Sequence, residues 1–305
     1  MASRVLCVGR NSVDYIFKVK LSALASDAKQ RTQEPVIVIG GQCLNAAVTL
    51  SALGIPVTYA GVVGADSSGA RVLNALGSAG VDASAVERAD GHQNPCAYIF
   101  VDSENGERSI IETASLAFPP HSGRISEADW AKFTHVYFDG HETAASVVIA
   151  REAAKRGIAT TCDAEAVTAQ TLELLTLVET AIVPKSVAAE IAGSDAPADM
   201  LAALAALGGH RHIVTMGSAG ALGALHGGDI VIVPAAPCHV VDTTGAGDAF
   251  HAGFLFADMS GASFGKAMTI AARVAALACE HMGPRAPVEA LARLGSHLSR
   301  ETWIF

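Results

Sequence analysis

Short apolar runs rich in β-branched side chains alternate along the chain with longer Ala/Leu-rich stretches. The runs predict strands at Val5–Val8, Val36–Ile39, Val57–Ala60, Ala97–Val101, Ser109–Ile111 and His135–Phe138. Further strands are predicted at Thr160–Cys162, Ala181–Val183, His212–Thr215, Ile230–Val233 and His239–Val241. Helical spacing falls near 42–53, 66–79, 143–156, 168–176, 186–192, 197–207, 247–258, 263–281 and 287–298. Strand-then-helix alternation sustained over this length implies an α/β fold with a mostly parallel sheet covered on both faces. Residues 14–38 and 94–112 break the rhythm, with strand-like pieces and no helix between them, and Asp102-Ser103-Glu104-Asn105-Gly106 reads as a hairpin turn. Such excursions suit a small β flap over the mouth of the main sheet, and two ordinary surface hairpins fit the pattern equally well.

Composition narrows the class. Half of the 305 residues are apolar, enough for a sizeable core, and nothing suggests disorder. With 21 basic and 30 acidic side chains the formal net charge is −9, which argues against a nucleic-acid partner. A locally electropositive site can still take a polyanion. Six scattered cysteines with no Cys-x-x-Cys pair point to reduced thiols in a cytoplasmic protein. The strand-like Val5–Val8 begins without a preceding apolar h-region, so no signal peptide is expected. Pro35 to Ala65 carries no charge, yet Gly40-Gly41, Gln42, Asn45, Gly54 and Pro56 divide it into strand, loop, helix, turn and strand. It is read as a buried strand–helix–strand unit, with no membrane span.

One run carries chemistry. Thr243-Thr244-Gly245-Ala246-Gly247-Asp248-Ala249-Phe250 follows a predicted strand and opens an apolar helix. Its glycines remove Cβ atoms where the helix starts, so consecutive backbone N–H groups can converge on an anion. Asp248 falls in the first turn, where the helix dipole favours a carboxylate. Phosphoryl transfer to an alcohol needs donors for the equatorial oxygens and a base at the attacking hydroxyl. A glycine turn with a helix-capping acid satisfies the same local pattern.

Asp242 through Leu255 resembles, position by position, the C-terminal motif of the ribokinase-like (PfkB) carbohydrate kinases. A second match is independent of it: Gly40-Gly41, Asn45, Ala47, Gly54 and Gly64 are spaced like that family's N-terminal motif, with Cys43 in place of the usual small residue. The resemblance covers essentially the whole chain. It implies a three-layer fold over residues 1–305, a single kinase domain whose small β-sheet lid comprises roughly segments 14–38 and 94–112. It also implies ATP, Mg²⁺ and a sugar as partners.

By that resemblance Asp248 is the base, and Gly245, Ala246 and Gly247 form the anion hole. Thr215-Met216-Gly217-Ser218-Ala219-Gly220 matches the nucleotide-side loop, with Thr215, Gly217, Ser218 and Gly220 as cofactor contacts beside Thr244. Asn11 and Asp14 match the sugar-contacting loop, completed by Gly40, Gly41 and Asn45. Asp242, Thr244, His281 and Gly283 resemble the monovalent-cation (K⁺) site of some relatives. One departure stands out. Many relatives carry an Asn-x-x-Glu motif that organises Mg²⁺, and the corresponding region here reads Val183-Pro184-Lys185-Ser186-Val187. Lys185 is the candidate to neutralise phosphate charge there instead.

Val5–Gly9, Gly106–Ile111 and Val240–Thr243 look most like the ketohexokinase and sulfofructose-kinase branch, which implies a ketose-type acceptor phosphorylated at a primary hydroxyl. Glu112, His141 and Glu142 are expected at the acceptor. A sulfonated or phosphorylated sugar would call for arginine at these positions, so a neutral or amine-bearing acceptor is expected. The rival is a nucleoside kinase of the same fold, gripping a base with Tyr15, Phe17, Tyr98 and Phe100. Gly9 lacks the further glycines of a dinucleotide fingerprint, and no P-loop motif is present. An apolar lid would also suit a homodimer.

Overall fold

Strands that are apolar on both faces need cover on both faces, and the chain folds to supply it. The computed structural model describes residues 4–298, apart from 25–28, 30, 105–107, 115, 118–124, 142 and 227. In chain order the strands are β1 (Arg4–Val8), β2 (Ser12–Val19), β3 (Val36–Gly40), β4 (Val57–Ala60), β5 (Val62–Gly64), β6 (Glu87–Ala89), β7 (Cys96–Asp102) and β8 (Arg108–Glu112). They continue as β9 (Phe133–Phe138), β10 (Ala159–Asp163), β11 (Thr180–Pro184), β12 (Arg211–Thr215), β13 (Ala221–Leu225) and β14 (Ile230–Val233). The helices are α1 (Leu21–Leu24), α2 (Gln42–Ala52), α3 (Ser67–Ser78), α4 (Glu127–Trp130), α5 (Thr143–Lys155) and α6 (Ala169–Leu175). After them come α7 (Lys185–Ala192), α8 (Pro197–Leu207), α9 (Ala246–Met259), α10 (Phe264–Cys279) and α11 (Val288–Leu298).

Eight strands form the central sheet in the order β14-β13-β12-β11-β10-β9-β1-β4. From β12 to β4 every pairing is parallel, and the β12–β13 and β13–β14 pairings are antiparallel. Strand β1 shows the two-sided burial directly. Val5 and Cys7 join the core packed by α2, α9 and α10, while Leu6 and Val8 join the core around Ile149, Leu174 and Met200. This is the three-layer arrangement expected for parallel strands.

The two excursions form one sheet, in the order β3-β2-β7-β8. Each predicted hairpin is antiparallel within itself, and β2 runs parallel to β7 to join them. Tyr15 stacks on Tyr98 at 5.4 Å and Phe17 on Phe100 at 5.5 Å across that seam. These four rings are therefore engaged in pairing the lid strands. The predicted turn at Asn105-Gly106 and the candidate Glu142 lie outside the described residues.

Two expectations are corrected. His239–Val241 forms no strand: Val240 and Val241 are exposed, and the segment is instead tied to the end of α10 by Val241 N–H to Cys279 O at 2.8 Å. Strand β13 escaped the reading because Ala-Leu-Gly-Ala-Leu has no β-branched residue. Its Gly223 is needed for closeness, since a Cβ there would come within 3.0 Å of Met268 Sδ and Phe264 Cζ. The uncharged segment 35–65 folds as β3, α2, β4 and β5, and among the described residues no helix is long and apolar enough to cross a membrane.

Candidate active site

The parallel strands all end at one edge, and the chemistry-bearing residues gather there. Gly245 caps α9 with φ 70°, and a Cβ on it would collide with the Pro284 carbonyl, so glycine is required twice over. The first helical bond of α9 is Ala249 N–H to Gly245 O at 2.9 Å. The N–H groups of Gly247 and Asp248 therefore precede the ladder, while Ala246 N–H makes only a long 3.3 Å contact with Thr243 O. A Cβ on Gly247 would meet nothing within 4 Å, so this backbone faces open space. The geometry matches an anion-binding helix start.

Asp248 is buried one residue further on, and Asn45 Nδ2 donates to its Oδ2 at 2.7 Å. Burial pushes its pKa up to about 7, against the pull of the Asn45 hydrogen bond and the Arg285 charge, while Glu165 and Asp139 reinforce the rise. Asn45 is bound at its other end too, its Oδ1 accepting from Arg285 Nη1. The same nitrogen donates to Ile39 O at 2.9 Å.

Asp14 lies on the first lid strand, buried, accepting from Ser12 Oγ at 2.6 Å. Its pKa is raised, by burial first. Gly40 and Gly41 explain themselves sterically. A Cβ on Gly40 would collide with the Asp14 carboxylate, and Gly41, at φ 97°, would meet Asn11 Cα at 2.6 Å. Asn11 donates to Val62 O at 2.7 Å and Tyr59 OH at 3.2 Å, while its Oδ1 is buried without a partner. Gln42, adjacent to the glycines, is buried with neither amide atom paired. Glu112 reaches across from the lid to Arg10, both carboxylate oxygens lying 3.4 Å from the guanidinium. His141 is exposed beside them and is anchored by its backbone N–H to Asp139 Oδ1 at 3.0 Å.

Behind these groups lie further carboxylates. Asp139 is fully buried, with a pKa pushed up to about 6, and also accepts from Arg10 N–H at 2.8 Å. Asp163 faces His251 Nε2 at 3.4 Å. Burial holds His251 neutral, its pKa down at about 3, and drives the Asp163 carboxyl well above its usual range.

On the far side of α9's first turn a cavity of about 540 Å³ opens. Thr215, Gly217, Ser218, Gly220, Ala246 and Gly247 line it, with Phe250 and Ala276 forming an apolar wall. The predicted nucleotide loop and anion hole therefore share one cavity. Lys185 does not line it; its ammonium lies 3.3 Å from Asp195 at the start of α7. The predicted cation residues do converge. Asp242 Oδ1 accepts from Thr244 N–H and Oγ1 at 2.9 and 2.7 Å, and its Oδ2 from Gly283 N–H at 3.0 Å. His281 adjoins Gly283, its N–H bonded to Ala278 O.

Arg10, Arg285, Gln42, Asp139 and Asp163 were not read from the sequence. Nothing in their local patterns marks them, because Arg285 meets Asn45 across 240 positions and Arg10 meets Asp139 across 129. The clue available was weak: Arg285 sits in a stiff Gly-Pro-Arg-Ala-Pro turn.

Comparison with known proteins agrees with this geometry. The family model described as pfkB family carbohydrate kinase matches residues 2–291. The chain is similar to a ribokinase of Haemophilus influenzae, 26% identical over 261 residues covering 83% of this chain and 84% of that protein. It is also similar to the fructosamine kinase FrlD of Bacillus subtilis, 29% identical over 90% of each chain. Among solved structures it superposes on adenosine kinase from Sinorhizobium meliloti with a TM-score of 0.83 and 25% identity, over 98% of this chain and 100% of that one.

Proposed function

The chain belongs to the pfkB family of carbohydrate kinases and is an ATP-dependent kinase of a sugar or nucleoside; we propose that its acceptor is a small ketose-type sugar, phosphorylated at a primary hydroxyl with Asp248 as general base. The observation that carries this reading is the placement of Asp248. It lies in the first turn of α9, buried, with the cavity lined by Gly247 on one side and Asn45 with the glycine-backed Asp14 on the other.

ATP, when bound, supplies the γ-phosphoryl group. Gly245, Ala246 and Gly247 would offer backbone N–H groups to the oxygens where charge develops, and Asp248 would accept the proton of the acceptor hydroxyl. Asp14 has two acceptor oxygens suited to vicinal hydroxyls. Among the described residues no cluster of His, Cys, Asp and Glu side chains could hold a metal ion by itself. Mg²⁺ would enter with the ATP phosphates, which would supply part of its oxygen shell. The Asp242 carboxylate, with the loop around Thr244, His281 and Gly283, suits a monovalent cation such as K⁺.

The acceptor is proposed to be neutral or amine-bearing. Arg10 is already matched by Glu112, and Asp14, Glu112 and Glu165 leave the site rich in carboxylate. A fructosamine kinase among the relatives supports the same direction. The nucleoside reading draws on the adenosine kinase structure. The aromatic side chains it would need are engaged in the lid's own stacking. Exposed Val36, Ile37, Ile110 and Ile111 support a homodimer through the lid.

The test is a screen of MgATP-dependent ADP release over ketoses, aldoses, nucleosides and amino sugars. Turnover of adenosine above every ketose would replace the sugar reading with the nucleoside one, and preference for a phosphorylated or sulfonated sugar would overturn the neutral acceptor. Two further outcomes are expected. The rate should fall as the pH drops through about 7, because the base is active only when deprotonated and its pKa lies there. Ala276→Phe, which fills part of the nucleotide cavity, should raise KM for ATP about tenfold, a cost near 1.4 kcal/mol of binding. Unchanged KM would remove ATP from that cavity.

A further inference from the structure

We propose that Arg285 and Asn45 are positioning residues for the base: the guanidinium grips the Asn45 amide oxygen, which turns the amide nitrogen onto Asp248 and holds the carboxylate aimed and ionisable. The inference rests on the reading of Asp248 as base.

The argument begins with the amide. Its two ends are alike in shape, and only their hydrogen-bonding differs. A guanidinium can only donate and an ionised carboxylate can only accept, so Asn45 between Arg285 and Asp248 has one orientation that satisfies both. The flipped amide would set donor against donor and oxygen against oxygen. Arg285 therefore fixes which end of Asn45 meets the base, although the two are far apart in sequence.

Arg285 is itself held. Nη1 also donates to Ile39 O on lid strand β3, just before Gly40-Gly41 and the helix that carries Asn45. The same turn supplies the Pro284 carbonyl that packs against Gly245, and the Gly283 N–H that binds Asp242. One short turn between α10 and α11 thus supports the backbone start of α9, by Pro284, and the side chain of its base, by Arg285.

The charge balance gives the arrangement its purpose. Asp248 faces Glu165 beyond β10, Asp139 beyond β9, Asp163 at the end of β10, Tyr137 on β9 and Cys43 on α2. Glu165 and Asp139 each disfavour a negative charge on Asp248, while Asp163, Tyr137 and Cys43, their own pKa values raised by burial, add no cation to the set. Arg285 is the cation that opposes them, and it also faces Asp14. Without it the base would keep its proton to higher pH and be idle in the neutral range.

The experiment compares kcat/KM for the acceptor against pH in the wild type, Arg285→Gln, Arg285→Lys and Asn45→Ala, with MgATP binding measured in each to establish folding. Arg285→Gln should move the acid limb upward by about one pH unit, so activity is about tenfold lower on that limb and recovers at alkaline pH. Asn45→Ala, which breaks the bridge, should move it in the same direction. Arg285→Lys should keep the limb near its wild-type position, because the charge remains, while lowering the plateau, because the compact ammonium does not reproduce the planar guanidinium's fit against Asn45. A profile that drops uniformly in Arg285→Gln with the limb unmoved overturns the inference. Retained turnover in Asp248→Asn would instead remove the base reading itself, so the two failures are distinct. If Arg285→Gln does not bind nucleotide, the limb in Asn45→Ala decides: a shift supports the inference and a fixed limb ends it.

Discussion

Asp248→Asn is expected to lower turnover by at least ~10²–10⁴-fold while leaving the chain folded. The two side chains have the same shape, and the substituted amide's oxygen can still accept the Asn45 Nδ2 hydrogen bond. What would be lost is the proton acceptor proposed for the reaction. Stability supplies an independent check with a definite sign. The folded-state pKa, about 7, lies above the ordinary carboxylate value near 3.9. Between those values the folded chain holds a proton that the unfolded chain has released. The contribution of Asp248 to stability is therefore fully present below the unfolded value and is lost as the pH rises through about 7. A neutral amide carries no such loss, so at alkaline pH the variant should melt at or above the wild type. Near-full turnover in an ADP-release assay would end the assignment. A sharp fall in melting temperature at alkaline pH would show that the carboxylate is mainly structural.

The same residue shows how much the sequence can reveal. Its run is local: glycines at a helix start, then a carboxylate in the first helical turn, legible because each residue acts on its neighbours in sequence. The boundaries of α2 and α9 were read to within one residue for the same reason. Strand β13 failed on local grounds, its Ala, Leu and Gly looking helical until antiparallel pairing with β12 overrides propensity. The opposite failure, His239–Val241, has strand-like residues and no strand partner. The lid was half legible. Each hairpin could be read, but the parallel β2–β7 seam that makes them one sheet joins distant segments. The electrostatic set was illegible. Arg10 and Arg285 carry no motif, and their roles exist only where the fold brings them against Asp139, Glu112 and Asn45.

Gly245→Ala should be the most damaging small substitution in the nucleotide half of the site, and Gly247→Ala is its control. At Gly245 the backbone is left-handed, which costs a residue with a Cβ about 1–2 kcal/mol. The new methyl would also press on the Pro284 carbonyl, whose neighbour Arg285 is engaged with Asn45 and Ile39. The strain can relax only by tilting the start of α9 or displacing that turn. Either shift moves the N–H groups at the start of α9 and Asp248 together, and a displacement near 1 Å can cost about 10²-fold in rate. Gly247 differs in kind. It lies within the helix, a Cβ there touches nothing in the protein, and Ala for Gly in a helix gains roughly 0.5–1 kcal/mol. That substitution should leave the melting temperature unchanged or raised while weakening ATP, because its methyl projects into the cavity. Melting curves and ATP titrations of the two variants would separate the roles. A stable, active Gly245→Ala enzyme would mean that the left-handed cap does not set the catalytic geometry. Unweakened ATP binding in Gly247→Ala would place the phosphates away from α9.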